Sequence, residues 1–248
     1  MNARVVGGVL VDMDDTLYPE HDYFVSGLRA VAKFAALYGG PAPAVGEGLL
    51  AELALEGRDL LFDRLLARLG VDTPSAALLV RTYRTHEPQI CPMPDVVPAL
   101  ASLRQLGVRV GMVTDGHPTV QRAKFAALGL AGLVETVVYT ADLPAGCSKP
   151  SSVPFAVAAE LLGLVPESCV YVADDRSKDF DGPRRLGMGT IRIARQMERR
   201  LEPAREFDAE AEADTVVEDF GGVFAALRPA IARLEVASLR DGTGGYLA

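Results

Sequence analysis

Asp12 and Asp14 close an apolar run that begins at Val5. Alternate side chains of an extended chain share a face, so the two carboxyl groups point the same way. Like charges that close and half-buried repel, and either a bound cation or one carboxyl kept as an acid would relieve them. A strand that ends in a solvated acidic turn explains this stretch alone equally well. Farther along, Thr114 follows a second apolar run, Asp174 and Asp175 follow a third, and Asp179 comes one turn later. Lys149 stands in the loop before a helical stretch. Carboxylates, a hydroxyl and a lysine suit phosphoryl transfer through Mg²⁺. Magnesium takes oxygen ligands, typically one or two carboxylates with waters and phosphate oxygens, and Asp12 and Asp174 can supply them. An aspartate nucleophile splits hydrolysis into two steps through an aspartyl-phosphate. A second carboxyl two residues on can protonate the leaving oxygen and later deprotonate the attacking water. Thr114 and the backbone N–H groups of Asp115 and Gly116 can hold phosphate oxygens. Lys149 adds a compact positive charge where negative charge must be stabilised.

These residues need elements that bring them together. Val5 to Val11 is β-branched and aliphatic around Gly7 and Gly8, the pattern of a strand buried on both faces. Apolar residues at helical spacing then predict helices over about 23–38, 45–56 and 58–69, and one that starts at Thr73-Pro74 and runs towards Thr85. No strand pattern occurs between about 20 and 85. After the linker 87–94, helices are expected over 96–106, 119–128, 153–162, 180–186 and 222–239. Strands are expected over 108–113, 134–139, 169–173, 190–193 and 215–217. The mixed-charge stretch 192–205 reads as a solvated helix or loop, and the tail 240–248 as frayed. Alternating strand and helix predicts an α/β core, a Rossmann-like parallel sheet with helices on both faces. In such a sheet, sites lie outside the carboxyl ends of the strands, which gathers Asp12, Asp14, Thr114, Lys149 and Asp174 at one edge. The expected division is a core of residues 1–18 and 93–248 with a helical insert at 19–92.

Composition narrows the partners. With 49% hydrophobic and 23% charged residues the chain is of ordinary globular type, and its net charge of −8 argues against a nucleic-acid partner. No apolar span of about 20 residues occurs and the first residues lack the layout of a secretory signal, so no membrane partner and a cytoplasmic location are expected. Cys91, Cys147 and Cys169 are too few and too scattered for a disulfide framework or a zinc cluster, and Cys169 reads as a core residue.

The motifs resemble those of the haloacid dehalogenase superfamily, whose phosphatases carry Asp-x-Asp-x-Thr first. Asp12-Met13-Asp14-Asp15-Thr16 fits that motif, Thr114 after its strand the second, Lys149-Pro150 the third, and Asp174 with Asp179 the fourth. The resemblance implies that Asp12 is the nucleophile and Asp14 the general acid/base. It implies Mg²⁺ held by Asp12, Asp174 and the backbone carbonyl of Asp14, with Asp179 steadying the metal site or Lys149. The insert resembles the helical caps of these enzymes. Ala173, where many relatives have glycine, and Ser151-Ser152 after Lys149-Pro150 depart from the pattern without removing a reacting group. By this resemblance the chain is expected to be a Mg²⁺-dependent phosphatase of a small phosphomonoester, a sugar phosphate as first choice. A phosphomutase, a dehalogenase, which would not need Asp14, and a catalytically silent binding protein are the competing readings.

Other polar residues read more plainly. His21 and His117 lie near the expected entrance and the phosphate turn, and each is first a surface or helix-start residue. His86 is structural, Arg122 solvated, and Asp181 a capping or turn acid. Asp175 is the same, although it can reach the surroundings of the metal. Gly7 and Gly8 permit close packing.

Overall fold

The sheet is built outward from β1 (Gly8–Val11), whose residues are all buried. The computed structural model describes residues 5–37, 48, 60–69, 75–195 and 212–241, the residues beyond 231 as backbone only. After β1 come α1 (Glu20–Ala36), α2 (Leu61–Leu69), α3 (Ala76–Thr85) and α4 (Val96–Gln105). Then follow β2 (Arg109–Thr114), α5 (Pro118–Leu128), β3 (Thr136–Tyr139), α6 (Val153–Leu161) and β4 (Cys169–Ala173). The chain continues through α7 (Asp181–Arg185), β5 (Gly189–Ile193), β6 (Thr215–Val217) and α8 (Phe220–Asp241). The six strands form one parallel sheet in the order β3-β2-β1-β4-β5-β6. Connections run one way from β1 to β3 and the other way from β4 to β6, so the crevice opens between β1 and β4. Val11 is in register with Met112 and Val172, which sets Asp12 just past the end of β1, Thr114 at the end of β2 and Asp174 just past the end of β4.

Burial on both faces explains the aliphatic strands. Val9, Val11, Val170 and Val172 join a cluster with Leu100, Leu103, Leu128 and Phe220 of α4, α5 and α8. Leu10, Cys169, Tyr171 and Ala173 face the other way, onto Phe155, Ala158 and Leu162. An added Cβ on Gly8 would stand 2.5 Å from Leu164, which accounts for the glycine in a central strand.

Among the described residues, α1, α2 and α3 contribute a third apolar cluster, which includes Phe24, Leu28, Val31, Leu65 and Leu79. No strand lies between residues 19 and 92 among the described residues. The chain leaves the sheet unit beside the point where it returns: Met93 N–H donates to the carbonyl of Leu17 at 2.9 Å. Buried Ser26 links α1 to the return path. Its hydroxyl accepts from Gln89 N–H at 2.9 Å and donates to His86 Nε2 at 3.0 Å, and His86 Nδ1 donates to the Tyr83 carbonyl at 2.6 Å.

Several elements differ at their ends from the sequence expectation. Helix α1 starts at Glu20, because Glu20 and Asp22 suit a first turn and Glu20 N–H bonds to Asp15 Oδ1 at 2.7 Å. Helix α3 is capped by Ser75, whose Oγ accepts from Leu78 N–H, rather than starting at Thr73-Pro74. Helix α8 includes residues 240 and 241, expected in the tail. Residue 48 alone of the expected helix 45–56 is described; the stretch 196–205 and the tail from 242 lie outside the described residues. No described helix is long and apolar enough to cross a membrane.

Candidate active site

The first motif is a tight loop at the end of β1. Asp12 N–H bonds to the Val172 carbonyl at 2.9 Å, and Leu17 N–H turns back onto the Met13 carbonyl at 2.9 Å. Asp15 has a φ of +54°, a left-handed conformation that aspartate tolerates better than most residues. This loop sends the two acids of the motif to different partners.

Asp12 is buried beside Lys149. Nζ of Lys149 is 2.7 Å from Asp12 Oδ1 and 2.8 Å from Asp179 Oδ1, and it donates to the hydroxyl of Tyr171 at 3.2 Å. The Tyr171 hydroxyl donates to Asp179 Oδ1 at 3.2 Å, and Asp175 N–H donates to Asp179 Oδ2 at 3.2 Å. Thr16 Oγ1 donates to Asp174 Oδ1 at 3.1 Å. Burial pushes the Asp12 carboxyl upward, and Asp179 and Asp14 add to that rise against the pull of Lys149. Burial also disfavours the charge on Lys149, but Asp12, Tyr171 and Asp179 together hold it well above its ordinary value.

One oxygen each from Asp12, Asp174 and Asp179 lies within 4.8 Å of the other two. Three carboxyl groups gather around one ammonium in a largely buried space. An all-oxygen donor set of this kind fits a hard divalent cation such as Mg²⁺. Asp179 supplies one of the three clustered oxygens and also pairs with Lys149, in keeping with a residue that steadies both.

Asp14 turns away from this cluster. Its Oδ1 accepts from Lys124 Nζ at 2.7 Å and from the hydroxyl of Tyr18, and its Oδ2 accepts from Gln121 Nε2 at 2.8 Å. Burial raises the Asp14 carboxyl, but the Lys124 charge and hydrogen bonds from Lys124, Tyr18 and Gln121 outweigh it and hold the group below the usual carboxylate range. The carboxylate of Asp14 is thus engaged away from the cluster of Asp12, Asp174 and Asp179.

The remaining expected residues sort by what they touch. Thr114 is buried, and its Oγ1 accepts from Gln121 Nε2 at 2.7 Å. Asp115 bonds Thr140 Oγ1 at 2.6 Å and Lys149 N–H at 3.3 Å, so its side chain ties the loop of Lys149 to the end of β2. Gly116 has a φ of +130°, which only glycine adopts comfortably at the turn into α5. Asp175 folds onto Ser177, accepting from its N–H at 2.8 Å and its hydroxyl at 2.6 Å, and so shapes the turn that carries Asp179. Exposed His117 precedes α5 without a side-chain cap bond, and exposed His21 lines a groove of about 1000 Å³ along α1 with His86. Arg122 pairs with Asp142 at 2.5 Å and lies over the Tyr139 ring. Asp181 pairs with Arg185 at 2.6 Å.

The profile of the haloacid dehalogenase-like hydrolases matches residues 6–187, a span that holds every residue of this arrangement. The chain belongs to that family. Among its relatives, glyceraldehyde 3-phosphate phosphatase of Methanopyrus kandleri is 34% identical over 213 residues, 82% of this chain and 91% of that protein. Ribulose-1,5-bisphosphate 5-phosphatase of Halopiger xanaduensis is 28% identical over 222 residues, 83% and 89% of the two chains. Among solved structures, the haloacid dehalogenase-type hydrolase YfnB of Bacillus subtilis superposes with a TM-score of 0.65. It is 19% identical and covers 90% of this chain and 99% of its own, a likeness of fold.

Within this hydrolase, sequence alone does not point to Tyr18, Gln121, Lys124 or Tyr171. Gln121 and Lys124 are three residues apart on the helix after Thr114, a spacing that puts both on one face. A tyrosine in an otherwise aliphatic strand, as at Tyr171, also signals a hydroxyl that needs a buried partner.

Proposed function

We propose that this hydrolase is a Mg²⁺-dependent phosphatase that cleaves a small sugar phosphate through an aspartyl-phosphate on Asp12. The observation that carries the reading is the separation of the paired acids: Asp12 lies with Lys149, Asp174 and Asp179, while Asp14 lies with Lys124, Gln121 and Tyr18. This separation supports a division of labour in which Asp12 attacks and Asp14 transfers the proton. The two phosphatases named above are 34% and 28% identical and act, by their names, on small sugar phosphates, which supports that substrate class.

In this mechanism an oxygen of Asp12 attacks phosphorus, and the ester P–O bond breaks with its electron pair left on the alcohol oxygen. Asp14 gives that oxygen a proton. It then takes a proton from the water that attacks the aspartyl-phosphate, releasing inorganic phosphate and restoring Asp12. Asp14 is held in its anionic form, and an incoming phosphate carrying about 1.5–2 negative charges disfavours that form, which favours protonation before the first step. The Thr114 hydroxyl, the N–H groups of Asp115 and Gly116 and the Lys149 ammonium hold the phosphate oxygens. Mg²⁺ at Asp12, Asp174 and the Asp14 carbonyl would offset the charge of the acids and of the phosphate. The helical segment 19–92 serves as a cap that excludes bulk water from the core of residues 1–18 and 93–248. A reducing cytoplasm suits the three free cysteines.

The test is phosphate release from glyceraldehyde 3-phosphate, ribulose 1,5-bisphosphate and a wider set of phosphate esters, with Mg²⁺ and after chelation. Wild type should release phosphate only with metal, and Asp12→Asn should release none. Activity that survives Asp12→Asn removes the nucleophile, and activity indifferent to thorough chelation removes the metal. Halide release from a haloacid without phosphate release from any ester moves the protein to dehalogenase chemistry.

A further inference from the structure

A lysine and a glutamine are buried on α5, where the sequence reads as an ordinary polar helix face. Lys124 is 4% exposed and Gln121 is 2% exposed. Burying an ammonium is costly unless it is paired, and Lys124 is paired with one group of the site, Asp14. Its Nζ also lies 4.5 Å from the centre of the Tyr23 ring, so α1 supplies its roof. Gln121 uses one amide nitrogen for two bonds, to Asp14 Oδ2 and to Thr114 Oγ1. Because Thr114 accepts there, its own O–H is directed elsewhere as a donor. The two oxygens of Asp14 are held from both sides, Oδ1 by Lys124 and Tyr18 and Oδ2 by Gln121, and this fixes the plane of the carboxylate.

We propose that Lys124 is a positioning residue for the proton-transfer step, holding Asp14 against the leaving-group oxygen, with Gln121 joining Asp14 to the phosphate-binding hydroxyl of Thr114. This rests on the phosphatase reading of the same site. Positioned proton transfer contributes about 10²–10⁴-fold, and it matters most where the leaving alcohol is a poor one. Loss of Lys124 therefore harms alkyl phosphates and spares esters whose leaving group departs without a proton. A residue that only supported the fold would lower both alike.

The experiment compares kcat/KM for glycerol 3-phosphate and for p-nitrophenyl phosphate in wild type, Asp12→Asn, Lys124→Met and Lys124→Gln, with thermal melts of each. Lys124→Met should lose about tenfold or more on the alkyl ester and less than about threefold on the nitrophenyl ester. Lys124→Gln repeats the measurement should the methionine variant not fold. Asp12→Asn should lose both activities, which checks the underlying chemistry separately. Equal losses on the two esters, or no loss on the alkyl ester, overturn the role of Lys124. A wild type inactive on every phosphate ester overturns the phosphatase reading and this proposal with it.

Discussion

Nζ of Lys149 lies 2.7 Å from Oδ1 of Asp12, with the two side chains 1% and 5% exposed. Removing one partner of such a pair strands the other charge out of water. Lys149→Met should therefore destabilise the metal-free protein by about 3–5 kcal/mol, because Asp12 and Asp179 lose their shared cation. Denaturant unfolding after chelation checks this. An unchanged midpoint would mean that the acids are already compensated by other means.

Metal should behave as a stabilising ligand. At about 100 times its dissociation constant, Mg²⁺ should add about 2.7 kcal/mol, a rise in Tm of roughly 5–10 °C for a chain of this size. Asp174→Asn should lose most of that rise, since Asp174 supplies one of the three clustered oxygens. Melting curves across a Mg²⁺ series decide it; the same rise in both proteins would remove Asp174 from the metal site.

Gly182 packs under the loop of Lys149. A Cβ there would stand 2.7 Å from the Ser151 carbonyl and 2.8 Å from that of Pro150, backbone atoms that cannot swing aside. Gly182→Ala should cost about 1–3 kcal/mol of stability. It should also lower kcat, because the displaced backbone carries Lys149. Melting and steady-state rates measured together test both halves, and a variant with normal rates would show that the loop adjusts without moving Lys149.

His86 gives a pH dependence of definite sign. Burial lowers its pKa from 6.5 and outweighs the opposing bond to the Tyr83 carbonyl, so the ring stays neutral in the folded protein. As pH falls below about 6.5 the unfolded chain binds a proton that the folded chain refuses, and stability drops until the lowered folded pKa is passed. His86→Gln should lack this part of the acid loss. Stabilities of both proteins between pH 7.5 and 5 test it, and parallel curves would count against a neutral His86.

The ends of strands were the legible part of this site. β4 matches its expected span of 169–173, and Asp12, Thr114 and Asp174 follow apolar runs whose only plausible home is a buried parallel sheet. Lys124 was not legible, because Gln-Arg-Ala-Lys is a normal exposed helical pattern. Its burial comes from Tyr18 and Tyr23 closing over α5, a contact between segments about 100 residues apart. The start of α3 shows the same limit at short range: Thr73-Pro74 and Ser75 are all good helix starters, and local chemistry does not choose among them.

The bond between Leu17 and Met93 also bears on how such a chain can change. The ends of the intervening segment are already pinned side by side, so the entropy of closing that loop hardly depends on what the segment contains. The segment between can lengthen, shorten or change its residues with the strand register untouched, as long as Tyr23 still closes over Lys124.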